Sequence, residues 1–373
     1  MKFTILKSDV INVLSNIQGI TGRKTNLAIT TSVLIKTADS GINIIATDLE
    51  TGFDGVYPAN VESDGVIAIN AKKIYEIIRD FPSEEILFDE VENNWIKIGN
   101  DKIEYHIMGM SPDDFPDSPQ IGDIEFFEID SVLFKKMIDR ATLISGAGDD
   151  KRAHIIGAYF ERIEDDDQKL VRIASTDGNR LSAVTYDFDE DFELPSGDGV
   201  LIPKKGLTDV GKFLSAESVV QIGFKDNHFI VKKESETIII RLLEGDFPDY
   251  KDIIRPKDDA YQIETDRRDF MMVLKRMSII ASETYKGVIY RFEKDKLTVS
   301  STNPDLGDSK EDMNIGYDGE AKEAAFNPRY FIETLNSIDD DNVILDFVDG
   351  ERPCLIQGET DKTYITALMP MRI

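Results

Sequence analysis

The sequence has very few of the side chains that most catalytic and metal sites need. It contains one cysteine, Cys354, and three histidines, His106, His154 and His228, in 373 residues. A single cysteine excludes a disulfide within the chain, which fits a reducing compartment. The histidines are scattered without metal-ligand spacing, and Cys354 lies in a strand-like apolar run, so no Cys–His pair is indicated. We therefore expect no cofactor and no resident metal.

Long apolar runs are also missing. No stretch approaches the roughly 20 apolar residues that are needed to span a bilayer. The first nine residues lack the apolar segment of a signal peptide. We therefore expect a cytoplasmic protein. A hydrophobic content of 41% is enough for globular cores, and the length suits two or three domains.

Positive charge is scarce. The chain has 43 Lys and Arg against 71 Asp and Glu, which gives a net charge of −28. Taken alone, this balance disfavours binding to nucleic acid, because a polyanion repels a polyanion. The distribution of the charge along the chain changes that interpretation, as described below.

One short motif is present three times. Its copies begin at Ala46, Ser175 and Ser301, and they read Ala-Thr-Asp-Leu-Glu, Ser-Thr-Asp-Gly-Asn and Ser-Thr-Asn-Pro-Asp. Each copy follows a mostly apolar run, and about twenty residues later an apolar strand leads into a helix. A closing set also repeats, as Asp114-Phe-Pro-Asp, Asp246-Phe-Pro-Asp and Leu368-Met-Pro-Met. Ordered signatures at one period predict three copies of one domain, at 1–122, 123–257 and 258–373.

Each predicted repeat contains two amphipathic helices among short strands. Apolar spacing predicts helices over 8–18, 70–80, 131–143, 203–215, 266–280 and 327–338. Cap residues are predicted at Ser8-Asp9, Asp130-Ser131 and Thr265-Asp266. Short strands with turn residues fill the remainder. This pattern indicates an α+β unit, with two helices on one face of an antiparallel sheet.

The predicted helices are the basic part of an acidic chain. Together the six segments carry a net charge of +6, whereas the whole chain carries −28. Three tandem units form an arc, and a two-fold dimer of arcs could close into a ring of six units. Helices on one face of every unit would then line a basic hole. Such a ring could hold duplex DNA by encirclement, with few strong phosphate contacts.

Four motifs in the sequence together resemble those of a known protein family. The most specific are Thr47-Asp-Leu-Glu, Thr176-Asp-Gly-Asn-Arg-Leu, Gly245-Asp-Phe-Pro-Asp-Tyr and Met369-Pro-Met-Arg. With them, the chain resembles the bacterial sliding clamps, the β subunits of DNA polymerase III, from end to end. The resemblance implies three tandem DNA-clamp domains and a homodimeric ring of six domains without catalytic activity. It also implies double-stranded DNA, the polymerase α subunit, the clamp loader and other clamp-motif proteins as partners.

The resemblance further implies a groove that binds partner peptides between the second and third domains. The residues implied for this groove are Ile155, Thr176, Gly178, Arg180, Leu181, Pro248, Ile253, Met369, Pro370, Met371 and Arg372. Apolar and adaptable side chains of this kind suit a short hydrophobic peptide. Departures from the family pattern leave the peptide preference open; they are Asn179, His154, Asp252, Glu351 and Pro353.

Two further sets follow from the resemblance. The implied DNA-binding residues are Arg23, Lys24, Lys72, Lys136, Arg140, Lys204, Lys205, Arg268 and Lys275. Ile279 and Ile280, at the end of a predicted helix, resemble the apolar part of a dimer contact, although a core position suits them equally well.

Two other classes of protein stay open at the sequence level. Acidic runs at 164–167 and 339–341 could bind a divalent metal in a hydrolase or nuclease. Alternatively, three tandem domains could form a binding protein that has no role on DNA. The signatures are spread over all three repeats, which favours a repeated architecture over a single active site.

Overall fold

The computed structural model describes residues 1–23, 25–38, 41–117, 122, 124–144, 146, 150–165, 168–188, 192–195, 197–214, 218–257, 259–281 and 287–372. The helices are α1 (Lys7–Asn16), α2 (Gln18–Thr21), α3 (Ala71–Asp80), α4 (Ser131–Thr142), α5 (Ala153–Ile156), α6 (Lys204–Phe213), α7 (Arg267–Met277) and α8 (Pro328–Ser337). Short 3-10 helices cover Ala28–Thr31 and Pro112–Asp114.

The strands of the first part of the chain are β1 (Lys2–Leu6), β2 (Ser32–Ala38), β3 (Gly41–Thr47), β4 (Thr51–Pro58), β5 (Asn60–Ser63), β6 (Val66–Asn70), β7 (Glu85–Glu90), β8 (Trp95–Gly99) and β9 (Glu104–Met108). Next come β10 (Phe126–Asp130), β11 (Gly157–Asp165), β12 (Gln168–Thr176), β13 (Arg180–Asp187), β14 (Gly199–Pro203), β15 (Val219–Lys225), β16 (His228–Lys233) and β17 (Glu236–Arg241). The last are β18 (Tyr261–Asp266), β19 (Val288–Glu293), β20 (Lys296–Asn303), β21 (Gly307–Asn314), β22 (Lys322–Phe326), β23 (Asn342–Phe347), β24 (Cys354–Gly358) and β25 (Tyr364–Leu368).

The chain divides into two compact units. Unit 1 is Met1–Lys136, Glu190–Gly197 and Lys205–Leu243, and unit 2 is Met137–Asp189, Asp198–Lys204 and Glu244–Ile373. Unit 1 holds one antiparallel sheet in the order β10-β15-β16-β17-β4-β3-β2-β6 and another in the order β5-β1-β7-β8-β9. Unit 2 holds one in the order β18-β23-β24-β25-β13-β12-β11-β14 and another in the order β21-β20-β19-β22.

The two eight-stranded sheets follow the same plan. In each, the last strand of one repeat pairs with the strand that follows the Thr-Asp turn of the preceding repeat. Thus β17 pairs with β4 in unit 1, and β25 pairs with β13 in unit 2. The predicted second domain therefore contributes strands to both sheets, and its boundaries at 122 and 257 stay a prediction.

Helices cover one face of the sheets, as the apolar spacing predicts. In unit 1, α1 buries Val10, Val13 and Leu14. In unit 2, Phe270 of α7 and Phe331 of α8 meet with ring centroids 5.6 Å apart. The strands alternate as expected for a half-buried sheet, since Ile263 and Thr265 of β18 are buried whereas Gln262 and Glu264 are exposed.

The predicted helix caps are partly wrong. Helix α1 begins at Lys7, and its N-cap is Leu6 with no side-chain cap, so Ser8-Asp9 lies inside the helix. The Ser8 N–H donates instead to Glu84 Oε1 at 2.7 Å. The two other predictions hold. Asp130 accepts from the Leu133 N–H at 2.8 Å, and Asp266 accepts from the Asp269 N–H at 2.8 Å.

The third closing signature is also corrected. Met371 forms an isolated bridge with Ala325, just as Met110 forms one with Ala68. Met369-Pro-Met therefore corresponds to Met108-Gly-Met, and not to Asp114-Phe-Pro-Asp. The Phe115 of that signature packs with Ile29 and Ala68 in unit 1.

Candidate partner groove and nucleic-acid surface

The second copy of the repeated motif forms a tight turn that is closed by its own side chains. Thr176 Oγ1 donates to the Arg180 carbonyl at 2.7 Å and accepts from the Gly178 N–H at 3.0 Å. Asp177 Oδ1 accepts from the N–H groups of Asn179 at 2.9 Å and Arg180 at 3.1 Å. Gly178 has φ +88°, a conformation that glycine adopts without strain. The motif therefore encodes its turn locally.

The C-terminal strand lies directly beside this turn. Arg180 is paired with Leu368 across β13 and β25, and the Met369 N–H donates to the Asn179 carbonyl at 2.9 Å. The Met371 N–H donates to the Ala325 carbonyl at 2.7 Å, which fixes the backbone on both sides of Pro370. The side chain of Met369 remains 43% exposed. Residues that lie almost 200 positions apart in sequence are thus adjacent, as the resemblance implies.

The side chain of Arg180 is fixed by contacts within the protein and does not lie exposed at the rim of the predicted groove. Its Nε donates to Asp177 Oδ2 at 3.0 Å and its Nη1 donates to Glu333 Oε2 at 2.7 Å. The guanidinium also lies 4.3 Å from the ring centre of Tyr330. Because these contacts use its planar fork, Arg180 stiffens the turn beside the C-terminal strand.

A linker crosses the same sheet and supplies two more predicted residues. Tyr250 of the linker is buried with Leu181, Leu355 and Ala367, and its hydroxyl donates to Glu161. Burial, followed by this contact with Glu161, raises the pKa of Tyr250 well above its usual value. The buried Tyr250 fixes the linker on the sheet, and Pro248 and Ile253 on either side of it are exposed.

We call the surface formed by turn 176–180, Pro248, Ile253 and 369–372 the partner groove. Gly178, Pro248, Ile253, Met369 and Arg372 are exposed in it, and Pro370 and Met371 are half-buried. Ile253 also lines an adjacent cavity of about 210 Å³ with Pro353 and Leu355. Asn179, Asp252 and Glu351 are exposed, whereas His154 and Pro353 are half-buried. The groove therefore offers a ligand the apolar side chains of Pro248, Ile253 and Met369, together with polar side chains such as that of Arg372.

Two of the residues predicted to line the groove are buried beneath its surface. The side chain of Ile155 is 1% exposed, so it supports the structure rather than lining the groove. Its carbonyl accepts from Lys204 Nζ at 2.7 Å, and the Thr176 carbonyl accepts from the same ammonium at 3.1 Å. Leu181 is 5% exposed, within the cluster under the linker.

This geometry corrects the prediction that Lys204 binds DNA. Lys204 is 7% exposed, and its ammonium cross-links the backbones of Ile155 and Thr176. Burial lowers the pKa of Lys204 to about 8. A lysine in this position stabilises the base of the turn and has almost no exposed surface with which to contact a phosphate.

The prediction that Arg140 binds DNA needs the same correction. Arg140 is 2% exposed, and its Nη2 donates to Asp361 Oδ2 at 2.8 Å. Its Nε donates to the Ser337 carbonyl at 3.3 Å, and the guanidinium lies 4.8 Å from the ring centre of Tyr364. Although burial opposes it, hydrogen bonds from Thr363 and Arg140 lower the pKa of Asp361 to about 2. Helix periodicity missed this site because it places Arg140 on the polar face.

Five of the other residues predicted to contact DNA keep exposed surface. Lys72, Lys205, Arg268 and Lys275 are exposed, and Lys136 is half-buried. Arg23 is bonded to Asp48 at 2.5 Å and to Asp209, and it lines a cavity of about 700 Å³ with Lys205 and Arg241. Lys24 lies outside the described residues.

The end of α7 carries the predicted dimer residues. Ile279 is 73% exposed, which is unusual for so large an apolar side chain. Ile280 is half-buried. Sequence reasoning missed other exposed apolar residues, among them Tyr105 and Met108 on β9. The spacing of β9 alone offered no signal, because its neighbours on the sheet are not evident in the sequence.

In the part of the chain that the structure describes, no group of three or more His, Cys, Asp or Glu side chains could hold a metal ion. None of the described helices is long and apolar enough to cross a membrane. The acidic run at 164–167 lies partly outside the described residues.

Repeats of two helices on antiparallel sheets, joined strand to strand, define the DNA-clamp class of fold. Three sequence models match the chain in succession: the N-terminal domain of the DNA polymerase III β subunit over 1–119, its central domain over 128–249 and its C-terminal domain over 252–372. The chain therefore belongs to the DNA polymerase III β subunit family.

Curated relatives and a solved structure agree along the whole length. The chain is 25% identical to the β sliding clamps of Vibrio cholerae, over 100% of both chains, and of Bacillus subtilis, likewise over 100% of both. It is also similar to the crystal structure of a sliding clamp from Bartonella birtlesii bound to griselimycin. There the TM-score is 0.91, with 26% identity and 100% of both chains covered.

Proposed function

We propose that this chain is a DNA sliding clamp. Two copies close into a ring of six similar domains that encircles double-stranded DNA without reading its sequence. The ring tethers the polymerase α subunit, the clamp loader and other clamp-motif proteins in the cytoplasm, and it carries out no chemistry itself. The observation that carries the proposal is the succession of three family domains over 1–119, 128–249 and 252–372.

The charge pattern supports encirclement. Exposed cations lie on helices that recur in the repeats: Lys72 on α3, Lys205 on α6, and Arg268 and Lys275 on α7. The whole chain nevertheless carries −28. Few phosphate contacts from a basic lining would hold the ring near DNA and still allow it to slide.

The partner groove supports tethering by short peptides. Its exposed apolar side chains are those of Ile253, Met369 and Pro248, beside a turn stiffened by Arg180. Met adapts to differently shaped apolar side chains, so one groove can serve several partners. A rigid floor limits the entropy that is lost on binding. The relative from Bartonella birtlesii was solved bound to griselimycin, so a clamp of this fold can bind a ligand. In this chain we expect the partner groove to bind ligands.

Retention on closed DNA tests the ring. The protein is loaded by the clamp loader onto nicked circular DNA, and the fraction retained is measured before and after a restriction enzyme linearises the circle. We expect retention on the circle and loss through the free ends. Equal loss from circular and linear DNA would show ordinary electrostatic binding and refute encirclement.

A matched pair of methionines tests the groove. Met369 and Met272 are similarly exposed, at 43% and 45%, but Met272 lies on α7. Met369→Ala should weaken binding of a clamp-motif peptide at least fivefold in a calorimetric titration, and Met272→Ala should not change it. Unchanged peptide affinity after deletion of 369–373 would refute the assignment.

A further inference from the structure

The first copy of the repeated motif forms the same kind of turn as the second copy. Asp48 Oδ1 accepts from the N–H groups of Glu50 at 3.0 Å and Thr51 at 2.6 Å, as its counterpart in the second copy does two and three residues further on. Leu49 has φ +78°, close to the +88° of Gly178. The frame that supports the partner groove therefore begins in the same way at the first turn.

The strand beside the first turn matches the one beside the second turn. Strand β17 pairs with β4 after the first turn, and β25 pairs with β13 after the second. The Arg241 N–H donates to the Glu50 carbonyl at 2.8 Å, just as the Met369 N–H donates to the Asn179 carbonyl at 2.9 Å. Arg241 therefore has the position that Met369 has in the partner groove, and a long cation replaces the exposed methionine.

An arginine also stabilises the first turn, although it comes from another segment of the chain. Arg23 Nη1 donates to Asp48 Oδ2 at 2.5 Å, and its Nη2 donates to Asp209, the sixth residue of α6. Arg180 likewise joins its own turn to Glu333, the sixth residue of α8. Because Asp48 is 6% exposed and Asp209 is 1% exposed, the charge of Arg23 is neutralised within this frame.

Two further cations line a cavity of about 700 Å³ beside this frame, which we call the basic cavity. They are Lys205 and Arg241, and both are exposed. In the described part of the chain, neither side chain forms a hydrogen bond or an ion pair. On α8, by contrast, the counterpart of Lys205 is Arg329, which pairs with Glu333 at 2.7 Å. Glu50 is the exposed acid of the lining, so the side chains that are open to a ligand leave a net positive charge.

The chemistry of the basic cavity suits a phosphate group better than an apolar peptide. Among the described residues that line it, only Leu49 presents an exposed apolar side chain. A guanidinium binds phosphate oxygens in a fork, and an ammonium adds a point charge. Lys205 is the second residue of α6, as Lys72 is of α3, and both belong to the exposed cations that we assign to DNA. The DNA backbone is therefore the phosphate source that the proposed function supplies.

We propose that the basic cavity binds a phosphate of the DNA backbone between Arg241 and Lys205, as a charged counterpart of the partner groove. The proposal rests on the proposed clamp function and adds to it a phosphate contact from a strand, beside those from the helices. Arg23 is the positioning residue, since it holds the turn and spends its own charge on Asp48 and Asp209. Each phosphate contact releases counterions, so the site contributes to the salt dependence of DNA binding.

The affinity for a short fluorescent DNA duplex, measured by anisotropy at several salt concentrations, tests this site. Arg241→Met installs the side chain that the partner groove has at this position. It should weaken binding about threefold and lower the slope of log K against log salt by about one for each phosphate contact that is lost. Glu50→Gln should strengthen binding, because it removes a competing carboxylate. Lys294→Met is the matched control, since it removes an exposed cation from the turn between β19 and β20, and it should change neither quantity.

The outcomes separate this site from the clamp function. If Arg241→Met matches wild type in affinity and slope while wild type is retained on nicked circular DNA, the phosphate site is refuted and the clamp function stands. Equal loss of wild type from circular and linear DNA would refute encirclement itself. An oligo-glutamate peptide is the second probe: if Arg241→Met weakens its binding and leaves that of the duplex unchanged, the cavity binds acidic protein segments and the proposal is wrong. Urea unfolding of Arg241→Met should match wild type, because the side chain is exposed, which separates a lost contact from a lost fold.

Discussion

Replacing Arg140 by Met should lower the free energy of unfolding of the protein and leave its retention on DNA unchanged. Arg140 is 2% exposed, and the partners of its guanidinium are Asp361, the Ser337 carbonyl, Thr363, the ring of Tyr364 and, at 3.7 Å, Asp339 Oδ2. Removing one member of a buried ion pair costs about 3–5 kcal/mol. Because the side chain of Asp361 retains 20% of its accessible surface, water compensates in part, and we expect a loss of about 2–3 kcal/mol.

The assay is urea unfolding of a four-member mutant cycle. Wild type, Arg140→Met, Asp361→Asn and the double variant should reveal a coupling of about 1–3 kcal/mol between the two side chains. Lys275→Met is the matched control, since it removes an exposed cation from a helix of the third repeat. It should change the free energy of unfolding by less than about 0.5 kcal/mol, and it should weaken DNA retention.

The pH dependence supplies a second readout. The pKa of Asp361 is lowered to about 2 in the folded protein, below its value in the unfolded chain. The stabilisation is therefore fully present above about pH 4 and is lost as the pH falls towards 2. The variant Asp361→Asn should lack this loss. If Arg140→Met unfolds like wild type but loses DNA retention as Lys275→Met does, the buried placement of Arg140 is wrong.

Two further predictions concern the turn and its base. Because the pKa of Lys204 is lowered to about 8, the unfolded chain binds more protons between about pH 8 and 10.5, and stability should rise over that range; parallel pH profiles for wild type and Lys204→Met in urea unfolding would contradict this. Gly178→Ala should cost about 1 kcal/mol, since Gly178 has φ +88°. At the corresponding Leu49, with φ +78°, Leu49→Gly should cost nothing, and a clear loss of thermal stability there would refute the argument from backbone strain.

The helices could be predicted from the sequence because their signals are local. Apolar spacing located α3 and α8 to within one residue at each end, and Asp266 could be identified as a cap from its neighbours. The turn at 176–180 is equally local, because its hydrogen bonds join residues at most four positions apart. Pairing between sheets has no such signal. That β25 lies beside β13 depends on contacts between residues that are separated by about half of the chain.

The same distinction between local and distant signals explains why the DNA-binding prediction is wrong for Arg140 and Lys204. Arg140 and Lys204 appear on polar helix faces in the sequence, where solvent or DNA are the expected neighbours. Asp361 lies 221 residues from Arg140, and the Ile155 carbonyl lies 49 residues from Lys204. No periodicity within a helix can report a partner at such a distance. Lys72 and Lys275 are exposed, as the sequence predicted, and among the described residues they show no distant partner of this kind.

The strand order also determines how long the chain is vulnerable while it is being made. Strand β13 ends at Asp187, but its partner β25 begins at Tyr364, about 180 residues later. A similar distance separates β4 from β17. At roughly 5–20 residues per second, each edge waits about 10–35 s on the ribosome for its partner. The wait leaves a half-built sheet open to strands of neighbouring nascent chains, so slower translation should lower the yield of correctly paired protein.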